Sequence, residues 1–330
     1  MIKTDVIIIG TGSIALKHAS IIKEFYPGLD ITLYNYRKRV FYKQKKIDKK
    51  ILSLFSNITD DHSLILPYTN KSFAIIASPP SYHLEHASLF AKKKFHILCE
   101  KPLTNKKDQL KNLIKLLNQN NLSSHVGYNM RFLESINFLK KIIDKKIFGR
   151  ILSSNITVHT NFTTWRPNKL YTKTSTAIRS LGGGVVNELS HEIDYMNHIF
   201  GCPVAQQSVV HKRKRICIDV YDTCNARFLY PEFKVDVSLD MLSSTEKRTC
   251  YIIFEKANIL LNFKTNIMHI FKSKGRESVY TFAKGMADTY IDQIKYFVKK
   301  IKYKTINETD ISSYSVLTKS LLKINNTSND

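Results

Sequence analysis

Cysteine is sparse and unpatterned in this sequence. Its five residues, Cys99, Cys202, Cys217, Cys224 and Cys250, are odd in number and show neither Cys-x-x-Cys spacing nor clustering with histidine. That excludes a disulfide framework and a zinc centre, and it predicts reduced packing residues in a cytoplasmic protein with no metal site. Long apolar runs are missing too: none approaches the roughly 20 residues that cross a bilayer, so no membrane association is expected. The chain opens Met-Ile-Lys-Thr-Asp and passes straight into a short apolar stretch, without the apolar core and small-residue cleavage site of a signal peptide. Internal repeats and proline-rich linkers are lacking, so domain boundaries have to be read from changes of pattern.

Acidic residues are outnumbered, 27 against 51 lysines and arginines, for a net charge of +24. Such a balance can draw in nucleic acid or acidic ligands. The basic residues, however, recur along the whole length, and no helix-turn-helix, zinc finger or aromatic-basic ribonucleoprotein motif accompanies them. Lysines on solvated faces account for the pattern; nucleic acid is not an expected partner, while phosphate-bearing ligands stay open.

With 330 residues and 43% hydrophobic content, the chain can bury two ordinary cores at roughly 150 residues per domain. Residues 6–9 form a continuous apolar run before glycines, as in a parallel strand buried on both faces. A helix should follow from Ser13, with Ile14, Ala15, Ala19, Ile22 and Phe25 at helical spacing until Pro27-Gly28 stops it. Strands are predicted at 31–34, 73–77, 95–99 and 124–128, with helices at 82–91 and 108–117. This alternation implies a doubly wound parallel sheet. After Gly149 the pattern changes to short strands joined by turns, at 151–160, 204–211, 215–220, 226–229, 235–240 and 249–254, which suggests a mostly antiparallel sheet. Helices at 288–298 and 314–322 close the chain. The expected fold is therefore α/β, a dinucleotide-binding domain over 1–126 followed by an α+β domain over 127–330 whose last helices could pack back on the first.

Gly10-Thr11-Gly12-Ser13-Ile14-Ala15 reads G-x-G-x-x-A between a strand and a helix, where small residues let backbone amides approach a pyrophosphate at the helix terminus. Gly10, Gly12, Ser13 and Ile14 are the candidate cradle. About 20 residues on, where NAD-binding folds usually place a carboxylate for the ribose hydroxyls, this chain has Asn35, followed by Tyr36-Arg37-Lys38-Arg39. A carboxylate would repel a 2'-phosphate, whereas Arg37 could bind one, so the segment favours NADP over NAD and leaves both open.

Three more segments follow predicted strands: Ser78-Pro79-Pro80-Ser81-Tyr82-His83, then Cys99-Glu100-Lys101-Pro102-Leu103, then Gly127-Tyr128-Asn129-Met130-Arg131-Phe132. Gly182-Gly183-Gly184 leads into His191-Glu192-Ile193-Asp194. In this order they resemble the Gfo/Idh/MocA family, named for glucose-fructose oxidoreductase and inositol dehydrogenase, over essentially the whole chain. The resemblance implies a Rossmann domain with an open-faced α/β domain, a sugar or polyol substrate, and a homo-oligomer, dimer or tetramer, built through the second sheet. It implies an NAD(P)-dependent dehydrogenase or reductase acting on a CH–OH group, one role for such enzymes being cell-surface carbohydrate metabolism. It would place Lys101 beside both the nicotinamide and the reacting oxygen, with Glu100, Ser78, Pro79 and His83 lining the cofactor site.

Chemistry supports Lys101 separately. A lysine at the carboxyl end of a buried parallel strand sits where ligands bind in such sheets, and Pro102 keeps the preceding backbone extended. Its cation can stabilise an alkoxide. Glu188, His191, Glu192 and Tyr195 recur at helical spacing, which would put them on one helix face, and His191 is the candidate general base. The family usually has an aspartate four residues before its catalytic histidine; here that position is Asn187, and the acid, Glu188, is three before. The departure leaves open which residue orients His191 and whether Glu192 takes the histidine's place. Tyr128, Arg131, Asn187, Trp165, Arg166, Tyr171 and Arg179 are candidate substrate residues, the aromatics for stacking on a sugar ring and the arginines for an anionic group. Two alternatives stay beside the dehydrogenase: an inactive dinucleotide-binding regulator, and a redox-assisted glycoside-cleaving enzyme.

Overall fold

The computed structural model describes residues 1–36, 52–104, 109–167, 169–213, 216–304 and 309–326. The chain divides into two compact units, Met1–Gly127 with Tyr290–Ser315, and Tyr128–Thr289 with Val316–Asp330. The first unit thus includes a segment that the sequence reading assigned to the second domain.

In the first unit the strands are β1 (Ile2–Thr4), β2 (Val6–Ile9), β3 (Ile31–Tyr34), β4 (Asn57–Thr59), β5 (Ile65–Pro67), β6 (Phe73–Ile76), β7 (His96–Cys99) and β8 (Ser124–Val126). Six of them form one sheet in the order β4-β3-β2-β6-β7-β8, and every pairing in it is parallel. β1 and β5 pair separately, also in parallel. The central strands are buried at every position because helices cover both faces of a parallel sheet, which is why they read as unbroken apolar runs.

Helix α1 (Ser13–Phe25) turns Ala15, Ala19 and Ile22 inward at helical spacing. They join Val6, Ile8, Ile31, Leu33, Phe73 and Ile75 in one core with Ile294, Phe297 and Ile301. Helices α2 (His83–Lys92) and α3 (Leu110–Gln119) continue the alternation, α3 burying Leu110, Leu113 and Leu117. The edge strand β8 is finished by the returning chain. Val126 N–H donates to Thr309 O, and the buried Lys300 Nζ donates to Ser124 O at 2.8 Å and lies 3.0 Å from Asp310 Oδ1. Burial pushes the Lys300 ammonium down, and Asp310 opposes that shift.

The second unit opens with α4 (Glu134–Asp144). It is built on an eight-stranded sheet of β9 (Ile151–Asn161), β10 (Ala205–His211), β11 (Thr223–Leu229), β12 (Lys234–Asp240), β13 (Leu242–Phe254), β14 (Ala257–Asn262), β15 (Ile267–Lys272) and β16 (Glu277–Thr281). The order is β10-β11-β12-β9-β13-β14-β15-β16, antiparallel except for the β12 and β9 pair. Alternate residues point to one buried face, among them Phe228, Val237, Ile156, Ile252, Ile259 and Ile270. Two helical segments, α5 (Val185–Glu188) and α6 (His191–Phe200), precede β10, and α5 packs on β11 and β12. The chain ends with α7 (Asp288–Tyr303) and α8 (Ser315–Asn325).

One predicted strand does not form. Ile216, Ile218 and Val220 alternate like strand residues, yet 216–222 is irregular: Ile218 N–H bonds back to Ile216 O, the Asp219 carboxylate accepts from Arg179 N–H, and Tyr221 O accepts from Val185 N–H. The Ile218 N–H, Ile216 O and Tyr221 O are thereby taken from any ladder. Arg215 of that prediction lies outside the described residues. The short strands β1, β4 and β5, the helix α4 and the strands β14 to β16 were not predicted.

Ile8 is wholly buried in the central strand of the first sheet. Ile8→Ala should cost about 2–5 kcal/mol by loss of burial and creation of a cavity. Urea unfolding followed by circular dichroism should show the midpoint fall; an unchanged midpoint would contradict the core described here.

Candidate functional site

The candidate cofactor residues gather at the carboxyl edge of the six-stranded parallel sheet, where backbone bonds bind successive strand ends together. Ala77 N–H donates to Ile9 O, Glu100 N–H to Ile76 O, and Gly127 N–H to Cys99 O. Gly10 follows β2 at φ +114°, and a Cβ there would lie 2.5 Å from Ala77 O, so only glycine lets the β2 and β6 turns pass this closely. A Cβ on Gly12 would meet nothing within 4 Å.

Gly12 caps α1 with no side-chain hydrogen bond, and the first turn has no acidic residue. The first amides of a helix lack partners within it, and the helix dipole makes that end positive. Open space beside Gly12 and uncompensated amides from Ser13 and Ile14 fit the pyrophosphate of a dinucleotide. Asn35 follows β3, with its N–H on Thr59 O at 2.8 Å. Beside it Tyr36 packs against the His86 ring at 4.5 Å. Arg37 lies outside the described residues.

The turn after β6 is pinned from α2. The His83 imidazole is buried, with Nε2 2.7 Å from Ser78 O and Nδ1 2.8 Å from Pro102 O. It therefore ties the Ser78-Pro79 turn to the Lys101-Pro102 turn. Burial pushes His83 below the ordinary histidine value, against the opposing pull of the two carbonyls and the Glu100 carboxylate. Ser78 Oγ lies 2.9 Å from His86 Nδ1. At the end of β7, burial and the adjacent Glu100 charge push the Cys99 thiol well up, so it stays protonated and inert. Glu100 is 7% exposed, its carboxylate 2.7 Å from His18 Nε2 on α1. Lys101 is half-buried, and the peptide bond to Pro102 is cis.

In the second unit, His191 begins α6. It is 8% exposed, and its ring meets the Tyr128 ring edge-on at 5.6 Å. The sequence reading put Glu188, His191, Glu192 and Tyr195 on one face of one helix. The structure breaks the helix at 189–190, so Glu188 ends α5 while His191 starts α6. Glu192 and Asp194 are wholly buried. Arg248 from β13 reaches Glu192 Oε1 with Nε at 2.7 Å, and Arg131 grips Asp194 with Nη2 at 2.7 Å and Nε at 3.0 Å. Asp194 is thereby held from the segment that carries Tyr128. Asn187 Nδ2 donates to Gly182 O and its Oδ1 accepts from Asn325 Nδ2.

Other candidate substrate residues lie on the irregular stretch before the glycines. Trp165 and Tyr171 both meet the buried Phe162 ring edge-on, at 6.4 and 5.7 Å, and Trp165 is 37% exposed. Arg166 donates to Thr176 Oγ1 at 3.2 Å. Arg179 lies over the Tyr221 ring at 4.8 Å and donates to Asp219 O. The pairing residues His18 and Arg248 were missed by sequence reasoning. His18 shares an inward face with Ala15 and Ala19, a signal that reads as packing, and no local pattern marks Arg248.

Comparison with known proteins supplies the class. The profile described as oxidoreductase family, NAD-binding Rossmann fold matches residues 4–128, and that of the GFO/IDH/MocA C-terminal domain matches 136–260. The chain belongs to the Gfo/Idh/MocA oxidoreductase family. It is 27% identical over 185 residues to glucose-6-phosphate 3-dehydrogenase of Bacillus subtilis (52% of this chain, 49% of the relative). To 2,7-anhydro-N-acetylneuraminate hydratase of Escherichia coli it is 28% identical over 127 residues (38% and 33%). It thus spans between a third and a half of the length of these relatives. Among solved structures, levoglucosan dehydrogenase with NADH and levoglucosan superposes with a TM-score of 0.77 at 18% identity, over 98% of this chain and 96% of that one. UDP-N-acetylglucosamine 3-dehydrogenase of Acidithiobacillus ferrooxidans gives 0.75 at 17%, over 98% and 97%. At these identities the two structures speak for the fold.

Arg131→Met would leave the Asp194 carboxylate buried without its guanidinium, at a cost of about 3–5 kcal/mol. The double change Arg131→Met with Asp194→Leu should recover much of that loss. Thermal unfolding of both variants checks it; equal melting temperatures for wild type and Arg131→Met would mean that the pair carries no such weight.

Proposed function

We propose that this protein is an NAD(P)-dependent oxidoreductase acting on a CH–OH group of a sugar, sugar derivative or cyclitol. The observation that carries the reading is Lys101, two residues beyond the end of β7, on the sheet edge where the uncapped α1 terminus, the Gly10 turn and the His83-pinned turns converge. The names of its relatives, dehydrogenases of glucose 6-phosphate, levoglucosan and UDP-N-acetylglucosamine, support the substrate class. When bound, the nicotinamide exchanges a hydride with the carbon that bears the reacting oxygen. The Lys101 ammonium holds that oxygen and stabilises its negative charge. His191 accepts the hydroxyl proton at a ring nitrogen and returns it in the reverse direction, with Glu188, three residues before it, as the acid that steadies it. Tyr128, packed edge-on against it, keeps the imidazole plane in place.

Trp165 and Tyr171 are the proposed stacking surface for the sugar ring, and Arg166 and Arg179 the proposed partners of an anionic substituent. Arg131 and Asn187 act through the groups they already hold, Asp194 and Gly182. NADP is the proposed cofactor over NAD because Asn35 stands where a carboxylate would repel a 2'-phosphate. A homo-oligomer is proposed through the outer face of the second sheet, where Tyr251, Leu260, His269 and Val279 lie side by side across β13 to β16, Val279 being 54% exposed.

Purified protein should bind NADPH more tightly than NADH in a fluorescence titration and turn over at least one sugar of a panel that includes the relatives' substrates. Lys101→Ala should lower turnover at least about 10³-fold, of the order of 4 kcal/mol in transition-state stabilisation, with nucleotide affinity within a few-fold of wild type. Unchanged turnover would remove Lys101 from the chemistry. A second reading, a redox-assisted lyase or hydratase, is favoured by the hydratase among the relatives. Product formation without net accumulation of reduced cofactor would select it.

A further inference from the structure

Next to Lys101 lies a pair of titratable groups that the proposed chemistry leaves unused. His18, in the second turn of α1, is wholly buried, with Nε2 2.7 Å from Glu100 Oε1. Its Nδ1 is buried without a hydrogen-bond partner, and its ring meets Tyr290 edge-on at 6.0 Å. The second Glu100 oxygen lies 3.4 Å from the backbone N–H of Lys101. Space for the carboxylate is kept by Gly127, where a Cβ would come within 2.9 Å of it. Glu100 is thus gripped by α1, by its own turn and by the end of β8.

The proton arrangement follows from the surroundings. A carboxylate oxygen has no hydrogen to give, so the pair is joined by Nε2–H donating to Glu100 Oε1 at 2.7 Å. What it joins is specific: α1, whose first turn forms the pyrophosphate cradle, and the turn that presents Lys101.

We propose that His18 is a positioning residue, a buried tether that sets Lys101 relative to α1 by holding the Glu100 carboxylate. This rests on the reading of Lys101 given above, and it concerns how the lysine is aimed. Small displacements of a reacting group cost large factors in rate, up to about 100-fold for an ångström.

His18→Leu removes the donor and keeps the volume roughly filled; His18→Gln brings an amide N–H to about the place of Nε2. Two readouts serve: kcat and KM, and the rate at which cyanate carbamylates Lys101 in the nucleotide-free protein, followed by peptide mass spectrometry. The expected results for His18→Leu are a 10- to 100-fold fall in kcat, KM and nucleotide affinity within about threefold of wild type, and an altered Lys101 carbamylation rate. His18→Gln should return both readouts to within about threefold of wild type. If His18→Leu does not fold, His18→Asn, whose amide falls short of Glu100, takes its place. Wild-type kcat and labelling in the non-bonding variant would overturn the tether. So would a folded His18→Gln as impaired as His18→Leu, since that result demands more than the hydrogen bond that the amide restores. Altered labelling in His18→Leu together with full activity of Lys101→Ala would instead keep the tether and sink the catalytic reading of Lys101.

Discussion

The parallel ladder of the first unit does more than hold strands together: its last rung is where the chain must leave the sheet, and each exit is bonded to the strand beside it. Ala77 N–H on Ile9 O, Glu100 N–H on Ile76 O and Gly127 N–H on Cys99 O link three exits into one rim. Every candidate cofactor residue in the described part of this unit stands on that rim or within a turn of it. Gly10 is required there because a backbone carbonyl occupies the room that a side chain would need, and a Cβ at 127 would press on the Glu100 carboxylate. Lys101, the lysine proposed for the chemistry, follows the middle exit of this rim.

The second unit solves a parallel problem by other means. Its candidate base opens a helix that carries two buried carboxylates, and each is neutralised by an arginine from a different segment. Buried ion pairs add little net stability over apolar packing, yet removing one partner is costly. Each pairing ties α6 to another segment of the unit, Asp194 to Arg131 and Glu192 to Arg248 on β13, and the break after α5 starts a new helix at His191.

Much of this was legible in the sequence, for identifiable reasons. Strands buried on both faces appear as apolar runs, and the turns after them carry glycine or proline where backbone geometry demands it, so the rim could be traced residue by residue. Segment 216–222 misled because alternation of Ile216, Ile218 and Val220 reports only a buried side at every second residue, and a loop pinned by neighbouring carboxylate and amide groups can supply that as well as a strand. The three-residue strands are too short for any period to show. These side-chain pairings were illegible because their members are far apart in the chain: 82 residues separate His18 from Glu100, 63 separate Arg131 from Asp194 and 56 separate Glu192 from Arg248. Nothing local at either end announces the other.

The closure of β8 by the returning segment has a bearing on how the molecule is made. A ribosome delivers β1 to β8 before it reaches residue 127, but the backbone of β8 is met by Thr309, and the lysine that seals it is Lys300. Until those residues emerge, the nascent first unit carries a bare strand edge, the kind of surface on which chains stick to one another. The first unit is therefore completed only after the intervening sheet has been synthesised.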